Sequence, residues 1–197
     1  MNSPHIFLAS ASPRRRELLQ QLGVRFEVLA QSVAEVRREG ESPEAFAERL
    51  AREKAQAGWA QLAEAQRLPV LGADTIVVVD EQVLGKPANR DETLAMLALL
   101  SGRTHRVLSA VALIGQDKVR SRVCESRVSF RIIDARERAA YWASGEPADK
   151  AGAYAIQGLG ALFVERLEGS YSGVMGLPLF ETGELLREFG IEMLEMQ

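Results

Sequence analysis

The sequence predicts an α/β fold in which helices flank a mixed β-sheet. Short apolar segments alternate with segments of helical periodicity along most of the chain, as expected for strands separated by helices. Between Val119 and Ile133, charged residues alternate with apolar ones, which indicates an antiparallel strand with one solvated face. Antiparallel pairing beside strand–helix units makes the predicted sheet mixed.

The first elements form a strand, a tight turn and a helix. Ile6–Ala9 has the composition of a short buried strand. Ser12 and Pro13 then supply a capping side chain and a first-turn proline for a helix that ends near Gly23. Val24–Leu29 alternates as a half-buried strand, and the polar residues 31–41 predict a surface loop.

A second helix and a hairpin follow. Ser42 and Pro43 repeat the helix-start pattern, and the helix is predicted to extend to Ala65. The predicted hairpin pairs Val70–Val79 with Val83–Leu84 through a turn at Asp80-Glu81, although the turn has no glycine. In this register Thr75 faces Lys86, so Lys86 is expected near Asp74.

The second half continues the alternation of helices and strands. Asn89 is expected to cap a third helix, and Asp134 with Glu137 forms a capping box before a fourth. The remaining predicted strands are Val107–Ile114, Val119–Ile133 and Leu162–Leu167, with a last helix after Pro178.

Composition favours one globular domain over residues 1–197, since 197 residues with 47% hydrophobic content can bury a core of that size. The apolar segments are far too short to span a bilayer. Met1–Ser10 has no basic cluster followed by a long apolar segment, so a secretory signal is not expected. We therefore expect a cytoplasmic protein. The chain has one cysteine, Cys124, which excludes a multi-cysteine metal site and is expected as a small filler in a strand. His5 and His105 are too few for a multi-histidine zinc site, although one of them could serve a serine or cysteine nucleophile.

The net charge of −3 does not favour an extended nucleic-acid-binding surface. Arg14, Arg15 and Arg16 nevertheless open the first helix, where the helix dipole favours negative charge. Ser10 and Ser12 add hydroxyl groups at the same turn, so a phosphate could bind there. The alternative is a solvated basic turn in which Ser12 only caps the helix.

Asp74 interrupts an apolar strand, where an acid is seldom buried without a partner or a ligand. Either it belongs to a functional site, or Lys86 holds it for structural reasons. Glu35 and Lys54 have the pattern of ordinary surface residues. The glycines from Gly152 to Gly160, which surround Gln157, indicate only weakly a loop that approaches a ligand.

Five motifs in order resemble the Maf family of nucleotide pyrophosphatases over nearly the whole chain. These motifs are Ser10-Ala11-Ser12-Pro13-Arg14-Arg15-Arg16-Glu17-Leu18-Leu19, Gly72-Ala73-Asp74-Thr75, Leu84-Gly85-Lys86-Pro87, Asp149-Lys150-Ala151-Gly152-Ala153-Tyr154 and Gly176-Leu177-Pro178. The resemblance implies a fold related to the inosine triphosphate pyrophosphatases, with two lobes around a deep groove, and often a homodimer.

The resemblance also assigns roles to residues. It implies that Asp74 is the catalytic base, with the groove lined by Ser10, Arg15, Glu35, Lys54 and Lys86. The resemblance also implies a subfamily. The positions of Arg14, Thr75 and Gln157 distinguish the dTTP/UTP subfamily from relatives that act on 7-methyl-GTP, and these three residues match the dTTP/UTP subfamily. CTP and modified pyrimidine nucleotides remain further candidate substrates.

A divalent cation, Mg²⁺ or Mn²⁺, is the expected cofactor, because hard oxygen ligands and phosphates suit it. Glu35 and Asp74 are the candidate metal ligands, and Lys54 and Lys86 are expected to act with them in catalysis. Two departures from the family pattern bear on this site: Ala34 stands where relatives often have a second acid, and Ser172-Gly173 differs from the usual residues after the aromatic at Tyr171.

An alternative to the enzyme is a nucleotide-binding regulator of cell division or septum formation, a process with which Maf proteins are associated. Retention of Asp74, Lys54 and Lys86 together favours the enzyme, because a sensor has less need of a positioned base. An RNA-binding module is disfavoured by the net charge and by an aromatic content of only 6%. Neither a nucleic acid nor a membrane is therefore an expected partner.

Overall fold

The computed structural model describes residues 5–193. Its strands are β1 (Ile6–Leu8), β2 (Phe26–Val28), β3 (Val70–Val79), β4 (Gln82–Leu84), β5 (Thr104–Ile114), β6 (Val119–Phe130) and β7 (Val164–Glu168). Its α-helices are α1 (Pro13–Gln21), α2 (Pro43–Trp59), α3 (Arg90–Leu100), α4 (Ala135–Ala143), α5 (Tyr171–Met175) and α6 (Leu179–Glu188).

The strands form a mixed sheet, as the sequence predicts. They are hydrogen-bonded in the order β2-β1-β3-β5-β6-β7, and β4 pairs with β3. Strand β1 is parallel to both β2 and β3, whereas the β3–β4 and β6–β7 pairs are antiparallel. Within residues 5–193, no helix is both long enough and apolar enough to cross a membrane.

The predicted helix starts are confirmed in atomic detail. The Ser12, Ser42 and Asn89 side chains each accept a hydrogen bond from a backbone N–H in the first turn of α1, α2 and α3. Asp134 and Glu137 form the predicted capping box of α4. Each cap satisfies a donor that the helix itself cannot pair, so the sequence fixes where these helices begin.

The hairpin is also confirmed, with Val77 opposite Leu84 and Val79 opposite Gln82. Asp80 and Glu81 take positive φ angles of 47° and 61°. Two such residues in a row match the twist of the flanking strands, which is why a two-residue turn closes the hairpin even without glycine.

Helix α2 is shorter than predicted and ends at Trp59 rather than Ala65. The residues that follow have good helix propensity, but Leu62 and Leu68 join Trp59 in packing against an apolar cluster that includes Phe7. Tertiary packing therefore overrides propensity. Helix α5 was not predicted; the Ser170 hydroxyl accepts the Gly173 N–H at 3.0 Å and so helps to start it.

The chain divides into two compact units. Within the described residues, the first comprises 5–74, 109–124 and 176–193, and the second comprises 75–108 and 125–175. In the second unit the core is rich in aromatic edge-to-face contacts, with ring centroids 4.8 to 6.1 Å apart among His105, Phe130, Tyr141, Tyr154 and Phe163. The prediction of a single domain over 1–197 stays a prediction.

Candidate functional site

The site in the first unit is organised around Asp74, which is only 5% exposed on strand β3. A glycine two residues earlier determines what it can touch. A Cβ atom at Gly72 would lie 2.3 Å from the Ala51 carbonyl oxygen and 2.5 Å from the Ala55 nitrogen. Helix α2 therefore lies directly against the backbone of β3 at this point, which only glycine permits.

This close approach places Lys54 beside Asp74. Residues two apart on a strand share a face, so the Asp74 side chain lies on the face that α2 covers at Gly72. Lys54 lies on α2 between Ala51 and Ala55, and its Nζ donates to Asp74 Oδ1 at 2.6 Å. The sequence prediction that Lys54 is a surface residue is therefore wrong, because the residue is 5% exposed on the buried stripe of the helix.

Glu35 completes a bridge between two acids. Lys54 Nζ also donates to Glu35 Oε1, at 2.5 Å. The side chains of Lys54 and Asp74 are 6% and 7% exposed, whereas that of Glu35 is 46% exposed. One buried ammonium thus holds a buried carboxylate and an accessible carboxylate at a single point, and offsets the repulsion between them.

Arg49 holds the loop that carries Glu35. Its Nη2 donates to the Val36 carbonyl at 3.0 Å, and its guanidinium also bonds both oxygens of Glu41, at 2.6 and 2.9 Å. The hydrogen bonds from Arg49 lower the pKa of Glu41 to about 2. The loop 31–41 is therefore fixed to α2 on the side next to Glu35, which its irregular polar sequence does not indicate.

A second cluster lies at the start of α1. Arg15 Nη1 donates to Ser10 Oγ at 3.2 Å, and Arg15 Nε donates to the Gly176 carbonyl at 2.8 Å. Ser10 is 3% exposed and also accepts the Ser12 N–H, at 3.3 Å. These bonds connect the first and last of the motifs found in the sequence. Ser12 caps helix α1, as expected in the alternative of a solvated basic turn.

The two clusters are coupled electrostatically. Burial lowers the pKa of the Arg15 guanidinium, whereas the nearby Asp74 and Glu35 act in the opposite direction. Arg14 lowers it further by like-charge repulsion. A partly desolvated cation thus faces two acids, an arrangement that suits a ligand carrying both phosphates and a bound cation.

Three predicted residues belong to the second unit. Thr75 is half-buried on β3, and Gln157 is exposed in a turn. Lys86 is exposed and lies two residues beyond the last paired position of β4, Leu84. The hairpin register is confirmed from Val77–Leu84 to Val79–Gln82, whereas the expected proximity of Lys86 to Asp74 stays a prediction. The lysine whose bond to Asp74 the structure describes is Lys54.

Within residues 5–193, no group of three or more His, Cys, Asp and Glu is placed to hold a metal ion. Glu35 and Asp74 nevertheless bring two carboxylates to one point, at Lys54 Nζ. These are oxygen donors of the kind that Mg²⁺ and Mn²⁺ prefer, and such ions commonly complete their coordination with water and substrate phosphates. The residues present therefore fit a divalent cation shared with a phosphate ligand.

The sequence matches the Maf-like protein family over residues 5–189. A protein of Alkalilimnicola ehrlichii named dTTP/UTP pyrophosphatase is 57% identical over 96% of this chain and 95% of its own. Proteins with the same name from Saccharophagus degradans and Xanthomonas campestris are 54% and 55% identical, over 96% and 94% of this chain and 91% and 98% of their own. A solved structure of the Ham1 protein of Staphylococcus aureus aligns with 66% of this chain and 72% of its own at 15% identity and a TM-score of 0.42, a similarity too low to support any assignment.

Proposed function

This chain belongs to the Maf family, and we propose that it is an enzyme that hydrolyses dTTP and UTP to the nucleoside monophosphate and pyrophosphate. The observation that carries the proposal is the Glu35–Lys54–Asp74 bridge beside Arg15. It combines a buried carboxylate, an accessible carboxylate and cationic groups within one unit, in a chain that shares more than half of its residues with proteins named for this activity.

Asp74 is the proposed general base. It is buried on a rigid strand, and Lys54 fixes the position of its Oδ1 at 2.6 Å. A base held in this way can orient a water molecule and take its proton as the oxygen attacks the α-phosphorus. The carboxylate Oδ2 is the atom available for that proton if Oδ1 keeps its bond to Lys54.

Cationic side chains stabilise the leaving pyrophosphate. Arg15 presents a planar guanidinium at the first turn of α1, held by Ser10 and Gly176, so its orientation is set before substrate binds. Lys54 and Lys86 add compact charges that can follow the negative charge as it moves to the leaving group. Arg14 and Ser10 belong to the same phosphate-binding turn.

Glu35 and Asp74 would hold a divalent cation, and of the two carboxylates Glu35 is the more accessible. When bound, Mg²⁺ or Mn²⁺ would supply charge neutralisation at the triphosphate oxygens. Lys54 has a second role, because its ammonium group holds the two carboxylates together.

Gln157 and Thr75 are proposed to recognise the nucleoside. An amide side chain offers an acceptor and donors that can match the N3–H and O4 of uracil or thymine. Purines should fit poorly in a pocket built for these bases, whereas the thymine methyl should make little difference, since a methyl group is worth only about 1 to 3 kcal/mol.

The proposal is tested by measuring kcat/KM for dTTP, UTP, CTP, ATP and GTP, with pyrophosphate and orthophosphate assayed separately. We expect comparable values for dTTP and UTP, lower ones for ATP and GTP, and pyrophosphate as the inorganic product. Purine values equal to that for UTP would overturn the base specificity. Tight nucleotide binding with no turnover in the presence of Mg²⁺ or Mn²⁺ would instead favour a regulatory role.

A further inference from the structure

The turn that carries Gln157 is held on its C-terminal side by one carboxylate. Glu146 Oε2 accepts the Leu159 N–H at 2.8 Å, and Oε1 accepts the Gly160 N–H at 3.0 Å. Both donors lie just after Gln157 in the chain. Glu146 is half-buried, so water competes only partly for these bonds.

A tyrosine extends the same contact to the other side of Gln157. Tyr141 OH donates to Glu146 Oε1 at 2.7 Å and accepts the buried Ala155 N–H at 3.1 Å. Tyr141 is only 4% exposed, and its ring packs edge-to-face on Phe163 at 5.0 Å. The Tyr141–Glu146 pair, which we call the clasp, therefore fixes the backbone two residues before Gln157 and two and three residues after it.

The backbone of this turn lies in close contact with the clasp at two glycines. A Cβ atom at Gly158 would lie 2.2 Å from Glu146 Oε2, and one at Gly160 would lie 2.8 Å from the Tyr141 oxygen. Larger residues at these positions would push the turn away. Gln157, directly before Gly158 in the chain, has an exposed side chain on this held backbone.

From this geometry we infer that the clasp of Tyr141 and Glu146 is the positioning element for base selection: it fixes the Gln157 turn so that the amide presents one orientation to the base. The inference rests on the proposed role of Gln157 in pyrimidine recognition. A loosely held amide can rotate and present its donor where its acceptor was, which suits cytosine as well as uracil. Holding the backbone at Ala155, Leu159 and Gly160 fixes where the Gln157 side chain starts and so limits the positions from which its amide can reach the base.

Hydrogen bonding also accounts for the charge of Glu146. Burial raises the pKa of Glu146, but the bonds from Tyr141, Gly160 and Leu159 outweigh that effect, and the pKa is lowered overall. The carboxylate form is the one that accepts all three donors. A neutral amide in its place has one oxygen instead of two, so at least one of the three donors loses its acceptor.

The test compares Glu146→Gln with wild type in the ratio of kcat/KM for UTP to that for CTP. We expect the ratio to fall by roughly tenfold, because loosening the support of a recognition group loses the geometry that discriminates. Gln157→Ala should lower the ratio at least as much. Glu137→Gln is the matched control: Glu137 is also a carboxylate with several donors, from Arg131 and the Asp134 N–H, and should leave the ratio unchanged.

Amide hydrogen exchange without nucleotide gives a readout that does not depend on activity. Glu146→Gln and Tyr141→Phe should each speed exchange at residues 155–160, whereas Glu137→Gln should not. Tyr141→Phe also serves if Glu146→Gln fails to fold. Both variants should shift the UTP-to-CTP ratio in the same direction.

The outcomes separate this inference from the proposed function. If wild type prefers UTP over ATP and Gln157→Ala alters the UTP-to-CTP ratio while both clasp variants leave it intact, the inference is wrong and the proposed function stands. A wild type that does not distinguish UTP from CTP also overturns the inference. Equal loss of activity toward all nucleotides in the clasp variants would show that the clasp is merely structural.

Discussion

At the scale of single residues, the chemistry depends on how Lys54 shares its charge between two acids of different exposure. The buried partner, Asp74, has little access to water, whereas Glu35 has an accessible side chain. Removing one member of a buried pair leaves the other uncompensated, which typically costs about 3 to 5 kcal/mol. Asp74→Asn is therefore a cleaner substitution than Lys54→Met, because Lys54 keeps Glu35 as a partner.

We expect Asp74→Asn to lower kcat by roughly 100- to 10,000-fold, the usual contribution of a positioned base. Nucleotide binding, measured by calorimetry in the presence of Ca²⁺, should remain detectable because the phosphate-binding cations are unchanged. Asp80→Asn is a suitable control, since Asp80 lies in the exposed β3–β4 turn and pairs with Arg103. A kcat for Asp74→Asn within threefold of wild type would rule out the assigned role.

His105 gives a prediction about pH and stability. Burial lowers its pKa from 6.5 to about 4, and its Nε2 lies 2.9 Å from the Tyr154 hydroxyl. The unfolded state therefore takes up a proton at a higher pH than the folded state. The stability contributed by the neutral ring is present above pH 6.5 and is lost as the pH falls toward 4.

Replacing the ring by glutamine removes this proton uptake. Between pH 7 and pH 5, wild type should lose about 2 kcal/mol of unfolding free energy that His105→Gln does not lose. Urea unfolding at the two pH values measures the difference. His5→Gln is the control, because His5 is only half-buried and its Nε2 lies 2.6 Å from Arg25 Nη2. A difference in unfolding free energy between wild type and His105→Gln that is the same at both pH values would contradict this explanation.

At the scale of elements, the site depends on the contact between α2 and β3. The helix is kept close to the strand by Gly72, and a second close approach occurs at Gly58, where a Cβ atom would lie 3.0 Å from Ala9 and Val70 side chains. These contacts place Lys54 at bonding distance from Asp74. The glycines at 58 and 72 therefore determine where Lys54 and Asp74 lie relative to each other.

Gly72→Ala should be strongly disruptive, because the added methyl would meet backbone atoms that cannot rotate away. Overpacking of this kind typically costs about 1 to 3 kcal/mol, and a displaced α2 would also break the Lys54–Asp74 bond. The thermal unfolding temperature and kcat should both decrease. Gly183→Ala is the matched control, since a Cβ atom there meets only the Met193 side chain, at 3.7 Å. Equal effects of the two substitutions would contradict this explanation.

At the scale of the whole molecule, the sequence predicted the mixed sheet, the helix starts and the hairpin register because these features depend on local signals. A capping serine, a proline in the first turn and alternating apolar residues act within a few positions of themselves. The predicted end of α2 is wrong because Leu62 and Leu68 pack against an apolar cluster, and helix propensity does not include such contacts.

The candidate site was predictable in part. Asp74 was evident from its place in an apolar strand, whereas the burial of Lys54 was not, since a lysine on a charged helix is usually solvated. Gly72 is the signal that could have corrected this, because a glycine inside a strand often marks a close backbone approach. Arg49 and the clasp residues act through contacts with residues elsewhere in the chain. No local sequence pattern indicates these contacts.

Isotope labelling shows whether water attacks the α-phosphorus. UTP and dTTP are hydrolysed with Mg²⁺ or Mn²⁺ in water enriched in heavy oxygen. The products are then separated, and the heavy-oxygen content of each is determined by mass spectrometry. We predict that one labelled oxygen appears in the nucleoside monophosphate and none in the pyrophosphate. Label in pyrophosphate, or in orthophosphate released with a nucleoside diphosphate, would contradict the account.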